Sequence, residues 1–433
     1  MCFFVDGAVV KAQERNAKSG RIAKNAPGSA IDGLQPKRIF SMKANPSRPV
    51  AAYIALSLLM LLVFGEVSAR LADAFFALRI QDQEETGQKP DGRRFAWKPI
   101  HRYLYYDHNG CVRLKPGAVG IHRSYDHPDK AVLIRVNKEG IRGPELLDNP
   151  ENRILFIGDS IVFDGGVPLK TTFVYQLEQK LNGDAGKGGR HRTEILNFGT
   201  SDAGVDQYYL KLKYHGASLK PDFVFIGLYL NDGVSPQGYL GAENLDGFER
   251  WLESDFLQPF SLPAHALKWY RRVKYAGKRE LRERFRWVAR YRKGEYLHDA
   301  KAFQQMVAEA DLDWGAGWVP ARWEKISYYL QKIKNLCDRL DIRPVVFFFP
   351  VGPQIYAKID WPALDYPQRQ IEKISTQIGI PFFDLLPYLR ELSDKQLLND
   401  QCHYNSEGND AVAEILFRII KENDRIFGGL ARD

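Results

Sequence analysis

Cysteine is scarce in this sequence, and no cysteine pair has the spacing of a metal or redox motif. Among 433 residues there are four cysteines, Cys2, Cys111, Cys337 and Cys402, and no C-x-x-C pair. A zinc or redox motif, such as a zinc ribbon or a thioredoxin-like centre, is therefore not expected. Free, partly buried thiols are the favoured interpretation. A disulfide from Cys111 to Cys337 or Cys402 is the alternative for an exported domain.

Net charge is also lacking from most of the chain. The formal charge is +8, yet residues 268–293 alone hold twelve Lys/Arg and two Glu, which leaves the remainder near −2. Because no recognised nucleic-acid motif accompanies it, this basic segment does not indicate a nucleic-acid-binding protein. The segment is predicted to be helical. Three roles stay open for it: a solvated surface helix, a cap over an active site, or a face resting on anionic membrane lipid.

One long apolar run lies near the N-terminus. Val50 to Gly65 carries no charge, and a helix continuing to Ala69 reaches the short end of the ~17–25 residues that span a bilayer. Basic residues precede the run, so the positive-inside rule keeps the N-terminus in the cytoplasm and translocates the rest. We therefore predict an uncleaved anchor over residues 49–70. A signal peptide with small residues at its cleavage site and a buried globular helix are the alternatives.

The residues before the anchor are polar and show no sustained periodicity. Met42, followed by Lys43, is the expected start of translation. After the anchor, turn residues and short apolar stretches predict a linker and then a β-rich region. The predicted order is a basic cytoplasmic segment (1–48), the anchor (49–70), a charged linker (71–94), a small β-rich lead-in (95–150) and a main domain (151–433). The main domain contains an insertion at residues 233–320.

In the main domain, apolar strands alternate with helical segments. Consecutive buried strands separated by helices predict a parallel sheet covered on both faces, which is a three-layer α/β/α fold. Ligand sites in such sheets lie at the carboxyl ends of the strands. The predicted strands are Arg153–Ile157, Glu194–Phe198, Asp222–Leu230, Arg343–Val351 and Ile380–Leu385. The predicted helices are Thr172–Leu181, Asp206–Leu219, Ala321–Leu340, Pro367–Ile378 and Gly408–Lys421.

Polar residues that suit acyl transfer lie after these strands. Ser160 follows the first strand in "GDS", and "DQCH", just before the last helix, holds Asp400 and His403. A serine hydroxyl needs a base within hydrogen-bond reach, and an imidazole base needs an acid that orients it. The oxyanion needs donors, for which the Ser160 N–H, an N–H in the 199–204 loop and the Asn231 amide are candidates. Each short motif alone is also typical of an ordinary turn, but their order and spacing together are more specific.

These short motifs resemble the conserved sequence blocks of the SGNH, or GDSL-like, hydrolases. "GDS" matches the first block of that family and "DQCH" matches its last block, while "VNKEGIRGPE" resembles the lead-in of membrane-anchored bacterial members. The resemblance implies a flavodoxin-like SGNH fold with Ser160 as nucleophile, His403 as base and Asp400 as the acid that orients the base. It also implies that Asn231 is the asparagine of the third block and an oxyanion donor.

Two positions depart from the family pattern. Tyr229 stands where the third block usually has glycine, and Asp202 stands where the second block usually has the oxyanion glycine. The backbone N–H of Asp202 can still donate, but its carboxylate would oppose the oxyanion charge unless it points away. Asp202 is nevertheless the predicted donor from this loop, with Gly199 and Gly204 as alternatives.

The resemblance implies a serine-dependent ester hydrolase, and it implies no metal or organic cofactor. Exported members often act on acylated carbohydrates, so an acyl or acetyl ester of a cell-envelope or extracellular glycan is the expected substrate. A polysaccharide O-acyltransferase with the same residues is one alternative, and an inactive glycan-binding or assembly subunit is another. The expected location is the bacterial inner membrane, with the catalytic domain in the periplasm or outside the cell. The expected partners are the substrate and the membrane, including anionic lipid at residues 268–293, but no nucleic acid.

Overall fold

The computed structural model describes most of the region after residue 100 and the apolar N-terminal helix. The described residues are 47–77, 100–127, 130–183, 193–201, 203–234, 286–428 and 430, with isolated positions between 248 and 270. The predicted start at Met42, the predicted linker beyond residue 77, the basic segment before Arg286 apart from isolated positions, and the predicted oxyanion donor Asp202 lie outside them.

The apolar run forms one long helix, α1, at Ser47–Ala77. Within it the 20 residues from Tyr53 to Ala72 are long and apolar enough to cross a membrane, because 1.5 Å per residue gives a span of about 30 Å. The side chains from Tyr53 to Phe64 are exposed to solvent. That exposure is inconsistent with the alternative of a buried globular helix.

The β-rich lead-in consists of two antiparallel hairpins. Strands β1 (Leu104–Tyr106) and β2 (Val112–Leu114) form the first, and strands β3 (Val119–Arg123) and β4 (Ala131–Arg135) form the second. Their apolar side chains form a small cluster that also includes Phe163 of the main domain. The lead-in therefore packs directly on the segment that follows Ser160.

The main sheet has five parallel strands. They are β5 (Asn152–Gly158), β6 (Thr193–Gly199), β7 (Phe223–Leu228), β8 (Arg343–Phe348) and β9 (Phe382–Asp384). Their spatial order is β6-β5-β7-β8-β9, which in chain order is 2-1-3-4-5, the flavodoxin-like arrangement. The predicted parallel α/β sheet is thus confirmed.

Helices cover both faces of this sheet. Their bounds are α2 Ser160–Phe163, α3 Phe173–Asn182, α4 Val205–Lys211, α5 Arg286–Lys293, α6 Ala300–Glu309, α7 Pro320–Leu340, α8 Gly352–Tyr356, α9 Tyr366–Ile378, α10 Leu386–Arg390, α11 Ser406–Glu422 and α12 Asp424–Phe427. Helix α3 packs against α11, whereas α4 and α9 pack against α7. Connections between parallel strands are right-handed, so the direction of travel decides which face of the sheet a helix covers. The chain runs from β5 to β6 in one direction and then from β6 through β7 to β9 in the other, which places helices on both faces.

The segment after α4 differs from the single helix predicted over 206–219. Leu212–Gly216 forms a π-helical turn and Ala217–Leu219 forms a 3₁₀ turn. Gly216 lies so close to the sheet that an added Cβ would be 2.6 Å from Leu155 Cδ1. Tertiary contacts therefore set the geometry of this turn, and a helical hydrophobic pattern does not encode them.

Candidate active site

Ser160 begins a four-residue helix at the carboxyl end of a central strand. Strand β5 ends at Gly158, and the Asp159 side chain caps helix α2 by accepting the N–H of Ile161 at 2.9 Å. The helix stops at Asp164, which adopts a left-handed conformation with φ 51°. Because Ser160 is the first residue of α2, its N–H has no acceptor within the helix. The serine therefore lies at the sheet edge where ligands bind in this fold.

A row of three glycines allows α2 to lie on the strand ends. Gly158 pairs with Gly199 of β6 on one side and with Gly227 of β7 on the other. An added Cβ at Gly158 or Gly227 would come within 2.4 Å of the Val162 side chain, and one at Gly199 would be 2.2 Å from the backbone nitrogen of Phe163. Larger residues would displace the helix that carries Ser160.

The structure brings Ser160, His403 and Asp400 into one chain of hydrogen bonds. Ser160 Oγ lies 3.1 Å from His403 Nε2, and the Nδ1 atom of the same ring lies 2.8 Å from Asp400 Oδ2. The side chains of His403 and Asp400 are 11% and 18% exposed, so both are largely buried but keep some contact with solvent. The arrangement matches the geometry by which a carboxylate orients a histidine base toward a serine hydroxyl.

The loop around His403 is fixed by its own hydrogen bonds. Asp400 Oδ1 accepts the backbone N–H groups of Cys402 and His403, at 3.0 and 2.9 Å. The N–H of Asn399 donates to the carbonyl of His403 at 2.8 Å. Asp400 thus orients both the imidazole ring and the backbone that carries it.

Charge interactions within this group shift both pKa values. Burial alone would raise the pKa of Asp400, but the charge of His403 and three hydrogen bonds lower it well below its usual range. Burial alone would lower the pKa of His403, yet the charge and hydrogen bond of Asp400 outweigh it and raise that pKa above its ordinary value. The carboxylate therefore stabilises the imidazolium that forms when His403 takes a proton.

The lead-in contributes residues that the sequence analysis did not identify. The ring of Tyr125 lies 5.2 Å from that of His403, and His122 contacts Tyr125 edge-on at 5.6 Å. Asp126 accepts hydrogen bonds from the N–H and hydroxyl of Ser406, at the start of α11. Burial, together with the nearby charges of His403 and Arg142, lowers the pKa of His122 to about 4. The lead-in thus forms one wall of the site, and His122 stays neutral there at physiological pH.

Arg142, from the "EGIRGPE" stretch, holds the turn that follows α2. This side chain is only 2% exposed. Its guanidinium donates to the carbonyls of Phe163, Asp164 and Val167, at 3.0, 2.5 and 2.7 Å. A buried guanidinium with several backbone acceptors fixes the turn firmly, because breaking it would leave buried groups unpaired. Arg142 therefore positions the helix that begins with Ser160.

The turn that carries Asn231 is organised by its neighbour Asp232. The side-chain oxygens of the buried Asp232 accept hydrogen bonds from the Tyr208 hydroxyl at 2.7 Å and the Tyr229 N–H at 2.8 Å. Burial and the charge of Asp159 raise the pKa of Asp232 well above its usual range. Asn231 itself is half-buried, and its carbonyl accepts the N–H of Val234. The structure therefore places Asn231 in a constrained turn after strand β7.

Tyr229, which stands where the family pattern has glycine, is a core residue. Its side chain is 1% exposed, and its hydroxyl has no hydrogen-bond partner among the described residues. Of the alternative oxyanion donors, Gly199 is excluded because its N–H already donates to Asn197 Oδ1 at 3.0 Å. Gly204 is the N-cap of α4. The contribution of Asp202 stays a prediction.

The end of the basic segment also contacts the site. Tyr291 of α5 donates its hydroxyl to the backbone carbonyl of Asp400 at 2.9 Å, and its ring stacks on Tyr296. Trp287 of the same helix is 1% exposed. Residues 286–293 are thus helical, as predicted, and are packed against the His403 loop rather than being only a solvated surface.

The predicted free thiols are confirmed for the cysteines that the structure describes. Cys111, Cys337 and Cys402 are all buried and unbridged. The alternative disulfide from Cys111 is therefore wrong, and fold stability rests on packing rather than on a cross-link within this part of the chain.

Comparisons with known proteins give similarity only at the level of solved structures. No protein-family model matches the chain, and no curated protein matches it in sequence. An acetyl xylan esterase, AlAXEase, aligns at 13% identity over 62% of this chain and 99% of its own, with a TM-score of 0.36. An acetylxylan esterase from Geobacillus stearothermophilus aligns at 14% identity over 63% and 95%, with a TM-score of 0.36.

The psychrotrophic esterase EstA from Pseudoalteromonas sp. aligns at 13% identity over 63% of this chain and 97% of its own, with a TM-score of 0.35. These structural neighbours are esterases.

Proposed function

We propose that this protein is a serine-dependent ester hydrolase of the SGNH type. The observation that carries the proposal is the hydrogen-bonded chain from Ser160 through His403 to Asp400. Ser160 and His403 are 243 positions apart, and the fold brings them together at the carboxyl end of β5. The flavodoxin-like strand order and the glycine row beneath α2 support the same assignment.

In the proposed reaction, Ser160 Oγ attacks the carbonyl carbon of the ester. His403 Nε2 takes the hydroxyl proton, and Asp400 stabilises the resulting imidazolium. The tetrahedral intermediate breaks the ester C–O bond, and the alcohol leaves with the proton from His403. Water, deprotonated by the same nitrogen, then attacks the acyl-serine, releases the carboxylic acid and restores Ser160.

The oxyanion of the intermediate needs donors on the side away from His403. We assign the Ser160 N–H, the Asp202 N–H and the Asn231 side-chain amide to this role. The Ser160 N–H is supported by its position at the first residue of α2, and Asn231 by the constrained turn that follows β7. Each such donor typically contributes about 10²–10³ in rate.

The proposed substrate is an acyl ester, such as an acetyl ester, on a carbohydrate of the cell envelope or exterior. This class follows from the resemblance to exported SGNH hydrolases. The proposed location is the bacterial inner membrane, with the catalytic domain on the periplasmic side. The length and exposed apolar surface of α1 support an anchor, and the basic N-terminal flank supports this orientation. Anionic lipid is a proposed contact of residues 268–293.

The test is hydrolysis of a chromogenic acetyl ester by the full-length protein purified in detergent. Ser160→Ala is expected to remove the activity, because no other group in the proposal forms the acyl intermediate. Ser393→Ala, in a turn after α10, is the matched control and should retain wild-type activity. Wild-type activity no greater than that of Ser160→Ala would overturn the hydrolase proposal and favour a binding subunit. Acetyl transfer onto an added oligosaccharide that exceeds hydrolysis would favour an O-acyltransferase instead.

A further inference from the structure

A second group of chemically reactive side chains converges away from Ser160. Asp107 and Cys111 lie in the turn between β1 and β2, and His215 lies in the π-helical turn after α4. One ligand atom from each residue lies within 4.8 Å of the other two. His215 Nε2 is 2.5 Å from Asp107 Oδ2. We refer to these three residues as the 107–111–215 cluster.

Local structure holds each member of the cluster in place. Asp107 Oδ1 accepts the N–H groups of Asn109 and Cys111, at 2.8 and 3.0 Å, which leaves Oδ2 directed at His215. Cys111 is fully buried, whereas the His215 side chain is 21% exposed. The cluster is therefore rigid on the hairpin side and open to solvent at the histidine. π-helical turns such as the one that carries His215 are frequent at functional sites.

We propose that the 107–111–215 cluster is a binding site for a divalent transition metal ion, with Zn²⁺ as the best-fitting ion. A thiolate, an imidazole nitrogen and a carboxylate oxygen are the three kinds of ligand that zinc takes in proteins. The two anions would balance the charge of the metal. Arg113 and Lys211, two cations whose charges act on the Cys111 thiol, then face a neutral site.

The geometry requires only a small adjustment. Ligand distances of about 2.0–2.3 Å and tetrahedral angles place ligand atoms roughly 3.5 Å apart. The Asp107–His215 pair must open by about 1 Å to reach that spacing, and the Sγ atom is already within 4.8 Å of both partners. On binding, the thiol proton leaves to solvent and the imidazole proton moves to Nδ1, which frees Nε2 to coordinate. Water would complete the coordination of the metal on the exposed side.

The site would connect two parts of the fold that are distant in sequence. The β1–β2 hairpin has only three residues per strand, and a two-stranded hairpin is marginal by itself. Zinc would tie its turn to the end of α4. The absence of C-x-x-C made a zinc motif unexpected from the sequence. No spacing rule finds this cluster, because Asp107 and His215 are 108 positions apart.

The test is titration of the metal-free, full-length protein in detergent with Co²⁺ and Zn²⁺. A single Co²⁺ per chain should give thiolate-to-metal charge-transfer absorption, which Zn²⁺ should displace. Zn²⁺ at about 100 times its dissociation constant should raise the melting temperature by roughly 3 °C. Cys111→Ser should weaken binding more than about 100-fold, which is beyond the 10–100-fold effect of losing an outer hydrogen-bond partner.

Matched variants keep the test decisive. Cys337→Ser replaces another buried free thiol, outside the cluster, and should bind cobalt as the wild type does. His215→Asn alters the exposed ligand and should lose the cobalt absorption even if Cys111→Ser does not fold. Absence of tight binding to the wild-type protein would overturn the proposal. So would binding that persists in Cys111→Ser but is lost in Cys402→Ser, because the ion would then lie beside His403.

Discussion

Within the residues that the structure describes, an aspartate, a cysteine and a histidine come together in two places, and in one of them the histidine faces Ser160. Asp400, Cys402 and His403 converge in one loop, while Asp107, Cys111 and His215 converge from two segments. In the first group the Nδ1 atom of the imidazole faces the carboxylate, which leaves Nε2 for Ser160 at 3.1 Å.

In the 107–111–215 cluster the imidazole is turned the other way. Nε2 of His215 faces the carboxylate, and the buried thiol lies within reach of both groups. Composition is therefore the same in the two groups, and orientation of the ring distinguishes them. A ring held at Nδ1 presents Nε2 to the serine and can act as a base, whereas Nε2 of His215 faces the Asp107 carboxylate and can join it as a metal ligand.

Replacing the aspartate of each group by asparagine should give the largest difference in activity between the two groups. Asp400→Asn is expected to lower kcat by about 10⁴-fold, because an amide can hold the imidazole in the wrong tautomer. His403 must be neutral to act as base, so activity falls as pH drops through its pKa. Asp400 raises that pKa, so the variant should lose activity at a lower pH than the wild type does. The measurement is the pH profile of kcat/KM.

The matching change in the other group is the control for this prediction. Asp107→Asn should leave the rate and the pH profile close to those of the wild type while it weakens metal binding. If the fall in kcat/KM at acid pH occurs at the same pH in Asp400→Asn as in the wild type, the assigned role of Asp400 is contradicted. If that fall occurs at a different pH in Asp107→Asn than in the wild type, the two groups are not separate in function.

A change beneath α2 should impair the group of Ser160, His403 and Asp400 and spare the 107–111–215 cluster. Gly199→Ala places a Cβ 2.2 Å from the backbone nitrogen of Phe163, so α2 must move. Because misplacement by about 1 Å can cost 10²-fold, kcat should fall about that much. Overpacking should also destabilise the fold by about 1–3 kcal/mol. Rates, chemical denaturation and cobalt absorption measure the three effects.

Gly379→Ala distinguishes lost stability from lost alignment. Gly379 has φ +69°, and an added Cβ there meets no atom within 4 Å. That variant should be destabilised by backbone strain and yet keep its kcat. Full activity in Gly199→Ala would show that the glycine row does not position Ser160.

The smallest effect on kcat is expected where Tyr291 of the insertion contacts the loop around His403. Tyr291→Phe removes the 2.9 Å hydrogen bond to the Asp400 carbonyl while keeping the ring that stacks on Tyr296. A hydrogen bond of this kind contributes about 0.5–1.5 kcal/mol, so kcat should fall less than about tenfold. Tyr388→Phe, whose ring lies against Arg418, is the control. A Tyr291→Phe rate equal to that of Tyr388→Phe would make the contact structural only.

Much of the fold was predictable because it rests on local pattern. Continuous apolar runs such as Phe223–Leu228 can be buried on both sides only in a covered parallel sheet. Helix α11 was predicted to within two residues at each end from helical spacing alone. The π-helical turn at Leu212–Gly216 was not predicted, because contacts of Gly216 and His215 with other segments set its geometry.

The residues around the site divide in the same way. Ser160, Asp400 and His403 were found because short motifs carry them. Arg142 and Tyr125 were not assigned to the site, because only the packing of the lead-in against α2 and His403 shows what they touch. The insertion was recognisable by composition, but its contact through Tyr291 was not.

The sequence by itself determined the strand and helix periodicity, the apolar run of α1 and the order of the three motif residues. These properties depend on neighbours a few positions apart, where periodicity and turn chemistry act. The tertiary structure decided which ring nitrogen of His403 and of His215 faces a carboxylate, and which glycines lie beneath α2. It also decided that Cys111 lies near a histidine 104 residues away in the chain. Those relations depend on the packing of distant segments, and no local pattern records them.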